Sequence, residues 1–216
     1  MELPIFPLNT VLFPGATLPL HIFEDRYRVM IGECIAGDRE FGVCLIREGA
    51  EVGESATPND VGTTARVTSV QRLEDGRMNI MCTGVRRFRI QQIVEQTPYL
   101  IADVEMLEPA ASDDARTTDL SETTAALFAE YIQLTLAISN QWSRRVDTPE
   151  DAAELSDFIA GRLAIDLKSR QKLLDEPSPK RRLEIETDAL ARLIRALRQR
   201  VRVARAGRWR SMAAVN

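Results

Sequence analysis

Leu3-Pro4-Ile5-Phe6-Pro7-Leu8-Asn9-Thr10-Val11-Leu12-Phe13-Pro14-Gly15, followed by Leu18-Pro19-Leu20-His21-Ile22-Phe23-Glu24, decides the architecture of the N-terminal part of this chain. The segment sets four prolines among nearly continuous apolar residues. Each proline fixes φ and removes a backbone donor, so no helix can pass through. Each also pushes the residue before it into extended geometry. The expected outcome is short strand pieces joined by kinks, forming an edge strand of a β-domain. Phe13-Pro14-Gly15 reads as a turn, with Gly15 free to take positive φ. Ile5, Leu8, Val11, Leu12, Phe13, Leu18 and Leu20 are the candidate core contributions. An exposed apolar ledge for peptide is the functional alternative.

Outward from this segment the chain stays β-rich to about residue 109, with one early helix. Glu24–Ala36 carries Tyr27, Met30, Ile31, Cys34 and Ile35 at helical spacing, and Gly37-Asp38 ends it. Glu40–Arg47 is apolar on both faces and predicts a buried strand. Glu48–Asn59 predicts an exposed loop. Val61–Leu73 and Arg77–Thr83 flank Glu74-Asp75-Gly76, and Asp-Gly between alternating segments is a hairpin signal. Arg86–Glu95 and Tyr99–Leu107 continue the strand pattern.

Glu108–Thr118 holds no large apolar residue and reads as a linker; beyond it every segment is helical. Leu120–Ile138 carries Leu127, Phe128, Tyr131, Ile132, Leu134 and Ile138. Thr148-Pro149-Glu150-Asp151 predicts a helix start, with Thr148 as cap and Pro149 in the first turn. That helix would bury Leu155, Phe158, Ile159 and Leu163. Ser178-Pro179 opens a last, long helix with Leu183, Leu190, Leu193, Ile194, Leu197 and Val201 near a heptad stripe. The expected division is 1–109 for the β-domain, 110–118 for the linker and 119–216 for the helical bundle.

The 216 residues are 44% hydrophobic and 28% charged, the balance of a globular protein able to bury a sizeable core. Cys34, Cys44 and Cys82 are odd in number, lack CxxC spacing and lie among apolar residues. Free thiols in a reducing compartment follow. Glu2 and Pro4 interrupt any signal-peptide pattern, and no run reaches membrane-spanning length. A cytoplasmic location is expected, without membrane contact. The net charge of −4 is unevenly spread: Lys180–Arg210 holds eleven basic and three acidic residues, leaving the rest at −12. An acidic body with a basic end permits self-association or attraction to a polyanion.

The opening resembles the start of the N-terminal domain of Lon, the ATP-dependent protease. Val61-Gly62-Thr63-Thr64-Ala65-Arg66-Val67 resembles that family's second signature, a strand entered through a V-G-T turn. Leu73–Arg77, Thr83-Gly84-Val85-Arg86-Arg87-Phe88-Arg89-Ile90 and Leu163–Leu174 resemble later blocks. The likeness covers roughly residues 2 to 200. It implies an α+β fold: a PUA-like β-barrel or twisted sheet of about six strands with one helix, then a helical bundle ending in a long helix. It also implies a substrate-handling role without chemistry. In Lon the long helix leads to an AAA+ ATPase and a Ser/Lys protease. No Walker A motif occurs up to Asn216. Gly32–Arg39 has two glycines at the right spacing but lacks the Lys-Ser/Thr pair that meets phosphate and magnesium. Lys168-Ser169 belongs to no protease dyad; adjacent helical positions point apart. A stand-alone module is therefore expected.

Catalytic signals are lacking elsewhere. His21 is the only histidine, which removes His-based triads and multi-His metal sites within one chain. Between Leu20 and Ile22 it reads as a structural residue. The acidic pairs 24–25, 113–114 and 150–151 fall at helix starts or loops, where macrodipole and solvation account for them. No cofactor and no metal are expected. The arginines at 192, 195, 198, 200, 202, 205, 208 and 210 wrap the last helix, near Trp209. They read as a solvated face docking on the acidic body, with nucleic-acid binding or a partner helix as alternatives. PUA-like folds also occur in RNA-binding proteins, which is fold analogy alone.

The expected function is non-catalytic binding of unfolded or apolar polypeptide segments. An apolar groove between β-domain and helices, or a sheet edge that accepts a client strand, would serve. Candidate partner-binding residues are Phe23, Tyr27, Tyr99, Arg195, Arg198, Arg202 and Arg205. A separate Lon protease, and a second copy through the C-terminal helix, are the further expected partners.

Overall fold

The computed structural model describes residues 1–50, 56–108, 110, 115–139, 141 and 146–213, apart from the side chains of 115 and 203–213. The chain divides into two compact units, each made from two stretches: 1–110 with 160–177, and 111–159 with 178–216.

The first unit is built on strands β1 (Glu2–Leu8), β2 (Thr17–Ile22), β3 (Phe41–Glu48), β4 (Thr57–Pro58), β5 (Val61–Arg72), β6 (Met78–Glu95) and β7 (Leu100–Met106). Five of these close into a ring. β1 pairs antiparallel with β7 and parallel with β3, and the order β7-β6-β5-β3 completes the circuit. Of the two strands in the opening, β1 is no edge but a member of the closed ring, whereas β2, paired with β6, lies at an edge.

The prolines of β1 are placed to do little harm. Met1 and Val104 exchange both backbone bonds, so the odd-numbered amides face β7 and Pro4 does not. Pro7 lies beyond the last β7 pair, at Ile5–Leu100, and sits within the β3 ladder opposite Cys44. Gly15 takes φ 73° in the turn that follows.

The ring packs around Leu3, Ile5, Cys44, Phe88, Ala102 and Val104. The V-G-T turn has a physical role in it. A Cβ on Gly62 would lie 2.5 Å from the Val43 carbonyl oxygen and 2.7 Å from Cζ of Phe88. Thr63 Oγ1 donates to the Leu12 carbonyl at 2.7 Å, tying the opening loop to β5. Helix α1 (Asp25–Ala36) covers a second core with Tyr27, Met30, Ile31 and Cys34.

Where the sequence pattern suggests two strands around Thr83–Arg86, the structure has one, β6, of 18 residues. The opening loop pairs with its middle: Gly15 N–H donates to Gly84 O and Gly84 N–H to Ala16 O, both at 2.9 Å. Part of the expected 48–59 loop forms β4; residues 51–55 lie outside the described residues.

Helices α2 (Ala115–Ile138), α3 (Ala152–Ala160), α4 (Leu167–Asp175) and α5 (Pro179–Ala213) follow. Two differences from the expected division stand out. Residues 115–118, read as linker, are the first turn of α2, while 111–114 lie outside the described residues. Helix α4 belongs to the β-unit. Its Leu173 and Leu174, with Ala160 and Ile165, cover Val11, Phe13, Leu45 and Val61. Arg170 donates to the Val11 carbonyl at 3.0 Å, and Gln171 to the Val61 carbonyl at 3.0 Å. Asp166 caps α4 by accepting from the Ser169 amide at 2.9 Å and its hydroxyl at 2.7 Å.

The second unit holds α2, most of α3 and α5. Asp151, three residues beyond the expected Thr148, caps α3; its Oδ1 accepts from the amides of Ala153 and Glu154. Phe128, Tyr131, Leu155, Ile159, Leu183, Leu190 and Ile194 form the apolar interior. A polar network crosses it. Arg182, fully buried, donates from Nε to Ser156 Oγ at 2.8 Å. Ser156 Oγ donates in turn to Glu186 at 3.0 Å, and Thr124 meets Thr187 at 2.7 Å.

Candidate polypeptide-binding face

The outer part of the β-unit is a three-stranded arm. β2 lies on one side of the first half of β6, and residues 66–72 of β5 lie on the other. Side chains alternate across a strand. Leu18, Leu20, Ile22, Met78, Ile80 and Cys82 therefore turn in toward the core that α1 covers. Pro19, His21, Asn79, Met81, Ser69 and Gln71 take the other face. The register places Pro19 by Met81 and Ser69, and His21 by Asn79 and Gln71. Together they line a shallow cavity of about 400 Å³.

A hydrogen-bonded row runs across the three strands. His21 Nδ1 lies 2.7 Å from Asn79 Oδ1, and Asn79 Nδ2 donates to Gln71 Oε1 at 3.3 Å. Because the Asn79 oxygen can only accept, His21 carries its proton on Nδ1 and leaves Nε2 for another partner. The His21 ring stacks on Phe23 with centroids 5.9 Å apart. Phe23 is 47% exposed and Met81 37%. The face is thus apolar at Phe23, Pro19 and Met81, with a polar row between. Both flanks are open: among the described residues, β2 and Arg66–Arg72 pair only with β6.

The structure separates the residues that the sequence proposed together. Phe23 belongs to this face. Tyr27 is in the core at 6% exposure, stacked on Phe6 at 4.0 Å, so its ring presents no surface to a partner. Tyr99 is equally enclosed, and its hydroxyl donates to Glu33 at 2.5 Å. Burial and that carboxylate push its pKa up to about 12. Arg195, Arg198 and Arg202 lie in the other unit. Arg195 donates to the Ala191 carbonyl, and Arg198 pairs with Glu130 at 2.6 Å. Arg202 is exposed; the side chain of Arg205 lies outside the described residues. His21, read as structural, is exposed on the arm. The missed signal was the alternation Thr17-Pro19-His21, which faces opposite to Leu18-Leu20-Ile22.

The three thiols are unsuited to chemistry. All are free and buried. Burial pushes Cys34 up to about 11 and Cys82 to about 12, and raises Cys44 as well.

A closed barrel carrying an open-edged arm, joined to a helical unit, defines a class of binding domain. The family model described as the ATP-dependent protease La (LON) substrate-binding domain matches residues 2–192, and the chain belongs to that family. It is 31% identical over 196 residues to the Lon protease of Trichlorobacter lovleyi, covering 88% of this chain and 24% of that protein. The Lon protease of Anaeromyxobacter dehalogenans is 28% identical over 193 residues, at 88% and 23% coverage. The chain thus spans about a quarter of the length of these relatives. What is matched is the substrate-binding domain, not a catalytic one.

Among solved structures, a Lon N-terminal domain protein from Xanthomonas campestris is 30% identical with a TM-score of 0.63, covering 85% of this chain and 95% of that one. The N-terminal domain of the Mycobacterium avium complex Lon protease has a TM-score of 0.68 at 18% identity, over 88% and 98% of the chains. The second likeness establishes the shared α+β fold alone. Among the described residues no helix is long and apolar enough to cross a membrane.

Proposed function

We propose that the chain binds exposed apolar segments of polypeptides, without catalysis, in the cytoplasm, and that the outer face of the β-arm is where they sit. The carrying observation is that Phe23, Pro19 and Met81 are presented beside two unpaired strand edges. An extended client can add as a strand through its main chain while alternate side chains enter the cavity. His21 Nε2 supplies a polar anchor at one end. Pro19 on β2 limits indiscriminate pairing along that edge. A client so held would be passed to a Lon protease, the enzyme its relatives are named for.

The test is fluorescence anisotropy with a labelled peptide of alternating Val and Ser, and with a chemically unfolded client. The double variant Phe23→Asp, Met81→Asp is expected to weaken both at least tenfold, and N-methylation of the peptide backbone to weaken the peptide similarly. Binding no stronger than that of an all-Ser peptide would sink the proposal.

A further inference from the structure

The two open edges of the arm differ in what their backbones present. Leu73 N–H donates to the Arg77 carbonyl at 2.8 Å, and the same register runs back through Arg72–Met78, Gln71–Asn79, Val70–Ile80 and Ser69–Met81. Hydrogen-bonded pairs alternate along an antiparallel ladder. Leu73, Gln71 and Ser69 therefore use their backbone groups on β6, whereas Val70 and Arg72 each turn an N–H and a C=O to the open edge. On β6, Asn79 and Met81 thus face β5, so Met78, Ile80 and Cys82 face their β2 partners Ile22, Leu20 and Leu18. Pro19 and His21 are left on the open side of β2, and Pro19 has no N–H to offer. The edge at Val70 and Arg72 is the more complete template.

That edge prolongs the line of β3, which pairs with β5 from Thr63 to Ala65 and stops at Phe41. Glu40, just before it, accepts from Arg66 at 2.8 Å. Past that point no strand among the described residues pairs with β5 on this side. An added strand would lie end to end with β3 and, like it, antiparallel to β5. The register slips between Val67 and Ser69, which confines regular pairing to Ser69–Arg72. The charges there are uneven. Arg28 pairs with Asp25, Arg66 with Glu40 and Arg77 with Asp75. Arg72 is exposed and makes no ion pair among the described residues; its Nη1 meets the Met78 sulfur at 3.8 Å. Glu74 lies past the strand, in the hairpin turn. Val70, the other outward-turned residue, is 37% exposed.

We infer that a client strand is added along Ser69–Arg72 of β5, and that this edge selects extended segments with an acidic residue two positions before an apolar one. The inference rests on the reading of the chain as a polypeptide-binding module, and it adds the edge and the client chemistry to that reading. In antiparallel register the client residue opposite Arg72 is followed, two places on, by the one opposite Val70. Opposite charges and apolar pairs are each favourable in directly opposed positions. The residue between them lies opposite Gln71 and points to the outer face, beside the cavity that Ser69, Gln71 and Met81 line. A second copy of this chain, pairing arm to arm, does not supply the acid. Neither Arg66–Arg72 nor Thr17–Ile22 contains Asp or Glu, so the Arg72 cation would stay unanswered.

Fluorescence anisotropy on the full chain tests it with two labelled Val-Ser repeat peptides, in which one central Val is replaced by Asp or by Lys. The Asp peptide is expected to bind about threefold more tightly, a preference that shrinks as salt rises. Arg72→Glu, at an exposed position, should reverse the order. Val70→Pro removes an N–H that β6 does not use and should weaken every Val-Ser peptide about tenfold. Equal affinity for the two peptides, or a preference that Arg72→Glu leaves in place, overturns the inference. Val-Ser binding that survives Val70→Pro also overturns it; if that binding is still lost in Phe23→Asp, Met81→Asp, the outer face remains the site without this edge. A dimer in sedimentation that Val70→Pro dissociates would assign the edge to a second copy and overturn the inference as well.

Discussion

The β-unit and the helical unit are each assembled from two separated stretches of chain, yet they are held in different ways. The β-unit is a closed ladder around apolar clusters, locked by backbone pairing and by α4 laid over Val11, Phe13 and Val61. The helical unit has no ladder to align it, and its interior carries Arg182, Ser156, Asp157 and Glu186, all buried. Apolar burial is non-directional, so helices need something more specific to select one packing. A buried polar network can serve that end. The ring has its register from hydrogen bonds and can use an apolar interior freely.

This contrast can be broken most severely at α4. Residues 1–110 alone lack the cover over Val11, Phe13 and Val61, and should lose cooperative unfolding, read by circular dichroism in a urea titration. Adding 160–177 as a separate peptide should restore part of it. A cooperative transition in the shorter chain would show that α4 is dispensable.

The next largest effect is expected in the helical unit. Arg182→Ala removes the buried cation of a network that also holds Glu186 and Asp157 out of water, and should cost about 3–5 kcal/mol. The triple variant Arg182→Met, Asp157→Leu, Glu186→Leu should recover much of that loss, since apolar replacement of a whole buried charged set is tolerated. A single variant as stable as the parent would show that the network does not hold this unit together.

A smaller change belongs to the ring. Gly62→Ala places a methyl group 2.5 Å from the Val43 carbonyl oxygen and should cost about 1–3 kcal/mol. The same substitution at Gly32 meets nothing within 4 Å and serves as the control.

The smallest effect is at the cap of α4. Asp166→Ala should lower Tm by about 2–4 °C at neutral pH. The hydrogen bonds from Ser169 hold the Asp166 carboxyl below its ordinary range. Its stabilising effect is therefore present above the ordinary carboxylate pKa and fades as pH falls through the lowered one. Melting curves of parent and variant should converge in acid; a difference that persists there would mean the cap acts other than through its charge.

Much of this was legible in the chain itself. The hairpin at Asp75-Gly76, helix α1, the turn at Gly15 and the opening of α5 at Ser178-Pro179 all follow from local chemistry, and the structure has them. The V-G-T signature marked Gly62 before its reason was visible. The arm was only half legible. The alternation in Thr17–Ile22 was there to read, but which face would be covered depended on where α1 lay. The aromatic candidates divided for the same reason: Phe23 is exposed, while Tyr27 and Tyr99 are enclosed by strands distant in sequence.

By itself, then, the sequence determined most of the elements, their order and the family, because turn chemistry, proline placement and periodicity act over a few residues. Tertiary structure alone decided that β1 closes a ring, that α4 returns to the β-unit across some fifty intervening residues, and that His21 faces out. Those outcomes depend on which surfaces bury one another, and burial is settled between segments that no local pattern connects.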